Sequence, residues 1–108
     1  MIEKTYKEII DETLSMCTDV LFKKKGEYAT ARDYFHNFNV AAELEGITPK
    51  QALAGMMAKH TVSVYDMCNS AEDFPIEKWN EKIVDHINYL LIQIKIRTRK
   101  CRFCRFND

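Results

Sequence analysis

The sequence predicts an all-α fold: a single domain resembling a four-helix bundle over residues 1–99, followed by a short irregular tail, 100–108. Three observations carry this. Apolar residues recur at steps of three and four along most of the chain, the period of a helix face. Only three glycines and two prolines punctuate 108 residues, too few for the turns a β-rich domain needs. The hydrophobic share of 46% and charged share of 30% are those of an ordinary globular chain with one core, not of a disordered one.

The first helix is expected over residues 5–25. Tyr6, Ile10, Leu14 (or Thr13), Cys17 and Leu21 form its apolar stripe, widened by Ile9, Met16 and Val20. Lys23-Lys24-Lys25-Gly26 closes it, with cations at the negative end of the helix dipole and then glycine. Residues 27–32 read as a connector. A second helix follows over 33–45, with Asp33 as N-cap and Phe35, Phe38, Ala41, Ala42 and Leu44 facing the core; Gly46 stops it.

Thr48-Pro49 pairs an N-cap with a proline at the first helical position, so the third helix is expected over 49–68. Leu53, Met56, Met57, Val64 and Met67 are its core positions. Ala52, Ala54, Gly55 and Ala58 would let a neighbour approach closely. Residues 69–74 form a polar loop. The fourth helix spans 75–99, with Trp79, Ile83, Ile87, Leu90, Leu91 and Ile94 as its core stripe. Short connections favour antiparallel neighbours.

Sixteen basic residues balance sixteen acidic ones, so no global field draws the chain to nucleic acid or to an anionic membrane. The charged N-terminus lacks the apolar block of a signal peptide, and the longest apolar run, Leu90-Leu91-Ile92, falls far short of a span. A cytoplasmic location is expected. Of the four cysteines, Cys17 and Cys68 lie on apolar helix faces as small hydrophobes. Cys101 and Cys104 form a lone C-x2-C pair, which supplies only two zinc ligands and reads as part of a reduced tail. No nucleophile elbow, P-loop or dinucleotide fingerprint is present.

Three polar clusters are the candidate chemistry. Glu77, Glu81 and Asp85 stand at i, i+4 and i+8 on the fourth helix, with Asn88 continuing the line. They read either as a solvated face offset by Lys78 and Lys82, or as a site where Glu81 and Asp85 hold Mg²⁺ that keeps several of its waters. Lys59, Ser63 and Asp66 form a second line on the third helix, where a lysine beside carboxylates would suit a phosphate-bearing, metal-bound ligand. His60, beside it, reads first as a half-buried structural histidine and second as a ligand contact. Around the connector, Glu27, Tyr28, Asp33, His36, Asn37 and Asn39 are dense in amides and aromatics. Tyr28, Tyr34 and Phe35 serve as core anchors in one reading, and a stacked base is the competing use. On antiparallel neighbours, Lys59, Asp66, Glu81 and Asp85 are expected to share one pocket between the third and fourth helices, with Glu27 or Asn37 at its mouth.

Taken together, Glu27-Tyr28-Ala29, Asn37-Phe38, Thr48-Pro49, Lys59-His60, Asp66, Trp79 with Glu81-Lys82, Asp85 and Tyr89 form a pattern over residues 22–95. The pattern resembles that of a group of small all-helical phage and prophage proteins, and more distantly the MazG-like all-α nucleoside triphosphate pyrophosphohydrolases. The second resemblance implies a nucleotide or nucleotide-derived ligand, Mg²⁺ and a hydrolytic step, with Lys59 and His60 on phosphate and Tyr28 and Asn37 toward a base. In those enzymes Glu-x-x-Glu and Glu-x-x-Asp pairs bind the metal. Here Glu81 and Asp85 are four apart, the third helix offers only Asp66, and Glu8 and Glu12 are also at i+4. The leading expectation is a phage-type protein that binds such a ligand, with or without hydrolysing it; the alternative is a non-enzymatic homo-oligomeric interaction protein that acts on a host factor. A homodimer or higher even oligomer in the bacterial cytoplasm is expected.

Overall fold

A computed structural model describes residues 3–27 and 31–97, with side chains outside 23–34. It contains four helices: α1 (Tyr6–Glu27), α2 (Ala31–Glu45), α3 (Pro49–Asn69) and α4 (Ile76–Ile96). Among the described residues there is no strand. The expected all-α class is therefore observed, and each helix lies within about a turn of its expected bounds. Two ends differ. α1 continues through Gly26 to Glu27, and α2 starts at Ala31, which places Asp33 inside the helix rather than at its cap. The tail, with Cys101 and Cys104, lies outside the described residues.

Local chemistry sets the helix ends. The Thr5 and Glu8 side chains exchange hydrogen bonds with each other's backbone amides at 3.2 and 3.1 Å, satisfying two orphan donors at the start of α1. Gly46 adopts φ 70°, and the Ile47 amide donates back to the Ala42 carbonyl at 2.9 Å, which closes α2. Two residues on, Thr48 and Gln51 form a capping box and buried Pro49 occupies the first turn of α3. At the α3–α4 connection Phe74 meets Trp79 edge-on at 6.3 Å, and Lys78 sits 4.8 Å over the Phe74 ring.

Packing follows a ring. α3 lies between α2 and α4, α1 lies on the other flank of α4, and α1 touches α2 only lightly. Phe38, Leu53 and Ile96 form the core cluster, with Phe35, Met56, Met57, Tyr89 and Ile92 packed around it. Cys17, Ala42, Ala52, Met67 and Val84 are buried as well.

Several expected core residues are not buried. Leu44 is 82% exposed. Ala54, Gly55 and Ala58 face solvent, and a Cβ on Gly55 would meet nothing within 4 Å, so these small residues admit no close neighbour. The N-terminal half of α1 leaves Tyr6, Ile9, Ile10 and Leu14 exposed, although the same stripe buries Cys17 completely.

The largest correction concerns α4. Most of its expected core stripe points outward: Ile83, Leu90 and Ile94 are 36, 50 and 59% exposed and Leu91 is exposed too, whereas Trp79 and Ile87 are half-buried. The helix instead buries Val84, Asn88 and Ile96, a ladder of four-residue steps one flank away, with Ile92 half-buried in the same line. An apolar stripe says that a helix face leaves water, but not whether its cover comes from the same chain.

Candidate functional site

α4 has three faces, and each candidate residue belongs to one of them. Toward α1 it presents Glu77, Asn80, Glu81, Val84 and Asp85, which line an open groove with Met16, Asp19 and Val20 of α1. Four of these eight residues are carboxylates. Glu81 is exposed and Asp85 half-buried. The nearest cation is Lys82, whose Nζ stands 3.9 Å from a Glu81 oxygen, at the outer limit of an ion pair. Beneath the groove, buried Asn88 donates from Nδ2 to the Cys17 carbonyl at 3.2 Å and ties α4 to α1.

Toward α3, the contacts are of a different kind. The Thr61 hydroxyl lies 3.2 Å from His86 Nε2, and Gln93 Nε2 donates to the Lys50 carbonyl at 3.1 Å. The half-buried His60 ring sits 4.8 Å from the Tyr89 ring at a tilt of 44°, and Phe38 meets Tyr89 edge-on at 6.3 Å. Tyr89 is thus held between α2 and α3. Burial, with a smaller contribution from the nearby Asp85 charge, pushes its phenol above the usual tyrosine value.

The structure therefore brings Glu81 and Asp85 together and keeps Lys59 and Asp66 apart from them. Both α3 residues are exposed and neither lines the groove. Among the described residues no ion pair within 4 Å involves Lys59 or Asp85. The contacts of α4 toward α3 are made by His86, Tyr89 and Gln93, whereas Glu77, Glu81 and Asp85 line the groove shared with α1. Of the remaining candidates, Asn37 is exposed on α2, Glu27 is the last residue of α1, and Tyr28 lies outside the described residues.

Among the described residues, no group of three or more His, Cys, Asp or Glu side chains is arranged to hold a metal ion. Asp19, Glu77, Glu81 and Asp85 line the groove without forming a closed cage, so a hard cation there would keep most of its water. Sequence reasoning did not single out Asp19, Asn80, His86 or Gln93. The first was visible only as one charge among several on α1. The others needed the helix neighbours to be known.

No protein-family model matches the chain, and neither a curated protein nor a solved structure shows significant similarity to it. No helix among the described residues is long and apolar enough to cross a membrane.

Proposed function

We propose that this chain is a homo-oligomeric interaction protein, a homodimer or higher even oligomer. One observation carries the reading: α4, the most amphipathic helix of the four, turns its most continuous apolar face away from its own core. An exposed stripe of isoleucine and leucine on a stable helix is the signature of a protein–protein contact, because a monomer gains nothing by keeping it in water. A second exposed apolar run on α1, Tyr6, Ile9, Ile10 and Leu14, supports a further partner such as a host factor. The resemblance to small phage and prophage proteins fits this reading, since such a protein would act by binding a component of its bacterial host. Light scattering across a micromolar concentration series tests it. The expected molar mass is twice 12.7 kDa or a higher even multiple, and 12.7 kDa throughout would remove the reading.

A second reading is favoured by the carboxylate-lined groove alone. In it, Glu81 and Asp85 hold Mg²⁺, and the metal bridges a nucleotide or nucleotide-derived ligand to a surface that would otherwise repel its phosphates. The cation is obligatory here, because no lysine or arginine lines the groove. Lys59 and His60 would contact phosphate only if the ligand reached around α4. A nucleotide panel screened by thermal shift with and without Mg²⁺ tests this reading. A ligand at 100 times its dissociation constant stabilises by about 2.7 kcal/mol. That gain should require Mg²⁺ and vanish in Asp85→Asn.

A further inference from the structure

We propose that two copies of this chain pair through α4 in antiparallel orientation, with a coiled-coil seam. The proposal rests on the homo-oligomer reading and names the surface and geometry that reading leaves open.

The seam is written in the spacing. Ile76, Asn80, Ile83, Ile87, Leu90 and Ile94 follow one another at alternating steps of four and three residues. That is a mean period of 3.5, the period that keeps a line of side chains facing another helix over several turns. A helix covered by loops or by a sheet has no use for it. In α4 the line runs the full helix, and every member is exposed or half-buried. It lies between the flanks that α1 and α3 take, and among the described residues no helix covers it. The partner must itself be a helix of matching period. Among the described residues α4 offers one; the exposed run of α1, with Tyr6, Ile10 and Leu14 at steps of four, does not keep that spacing.

Charge sets the direction. The first turns of α4 and the loop before it carry four acids, Glu72, Asp73, Glu77 and Glu81, against two lysines, Lys78 and Lys82, a net charge of −2, whereas Lys95 and the C-cap Arg97 make its other end +2. A parallel pair would set acid against acid at one end and base against base at the other. Antiparallel pairing sets acidic ends against basic ends and opposes the two helix dipoles favourably.

Register follows from the polar residue in the seam. Asn80, at the border between this line and the α1 groove, is the one seam member with a side chain that needs a partner. Aligning it with Arg97 of the partner subunit places Ile83 against Ile94 of the partner subunit and Ile87 against Leu90 of the partner subunit. Ile83, Ile87, Leu90 and Ile94 then fill the centre, and an Asn80–Arg97 contact flanks them at each end by the two-fold symmetry.

Cross-linking tests both the face and the direction. In a background of Cys68→Ser, Cys101→Ser and Cys104→Ser, with buried Cys17 retained, Ile83→Cys and Ile94→Cys are prepared separately and then mixed. A short bismaleimide should link the two variants when mixed and should link neither alone. In this register, like positions are eleven residues apart along the helix, roughly 16 Å, beyond the reagent's reach. Dimers linked within each single variant would show a parallel pair and overturn the proposal. A dimeric mass with no cross-link in either arrangement would also overturn it, placing the interface on another face while leaving the homo-oligomer reading intact. A monomeric mass would remove both, and the stripe would then await a different protein. Each variant's helical circular dichroism is compared with the parent. Should either be misfolded, Asn80→Cys with Arg97→Cys provides the second opposed pair, whose like positions lie seventeen residues apart, roughly 26 Å along the helix.

Discussion

Asn88 and Cys17, seventy-one positions apart in the chain, are both buried and joined by a hydrogen bond of 3.2 Å from the Asn88 amide to the Cys17 carbonyl. This is the polar bond that fixes α1 against α4, and it is imperfect: Asn88 Oδ1 is buried with no hydrogen-bond partner. The Cys17 carbonyl lies mid-helix, where the amide four residues on is its ordinary donor, so losing Asn88 does not orphan it. Asn88→Leu, similar in volume and free of the unpaired oxygen, should change stability by no more than about 1 kcal/mol. Asn88→Asp turns a carboxylate toward a carbonyl with no donor, and should cost about 3 kcal/mol or more near neutral pH. Urea midpoints of the two variants check the contrast. Equal losses would mean that the site is simply intolerant.

Leu53 and Leu44 are the same residue type in opposite circumstances. Leu53 is fully buried at the centre of the core cluster, whereas Leu44 near the end of α2 is 82% exposed. Leu53→Ala should destabilise by about 2–5 kcal/mol through lost burial and a cavity, and Leu44→Ala by less than about 0.5 kcal/mol. Chemical denaturation measures both. A substantial loss at Leu44 would mean that another molecule covers it.

The fold should weaken in alkali. Burial raises the Cys17 thiol above its ordinary 9.0, and burial together with the Asp85 charge raises the Tyr89 phenol above its ordinary 10.0. Both groups ionise more readily in the unfolded chain, which therefore releases protons first as pH rises. Stability from this source is intact below pH 9, begins to fall as the unfolded thiol and then the unfolded phenol ionise, and goes on falling until the raised folded-state values are passed. Cys17→Ala with Tyr89→Phe should flatten that alkaline slope in urea titrations from pH 8 to 11. A slope unchanged by the pair would assign it to other groups.

The helices were legible because their signals are local. Thr48-Pro49, Gly46 and the 3.6-residue period each act within a turn or two of the chain. The candidate site was not, because it depends on which flank of α4 each neighbour takes. Val84, Asn88 and Ile96 look weaker as a stripe than Ile83, Leu90 and Ile94, yet they are the ones the bundle buries. Periodicity ranks faces by hydrophobicity, and it does not tell the face that the bundle covers from one that it leaves outside. Once α4 is rotated accordingly, Glu81 and Asp85 turn toward Asp19 instead of Lys59, and the expected ion pair disappears.

That rotation of α4 is the claim on which the rest depends, and sedimentation equilibrium of the wild type beside Ile83→Glu tests it most directly. Placing a charge at the centre of a face that lies outside the subunit core should leave the helices intact and separate the subunits. The wild type should sediment at twice 12.7 kDa or a higher even multiple, and the variant at 12.7 kDa with the wild-type circular dichroism spectrum and urea-resistant helices. A wild type already at 12.7 kDa would contradict the assembly. An Ile83→Glu chain that loses its helical signal at concentrations where the wild type is a monomer would contradict the fold itself, because Ile83 would then belong to the core.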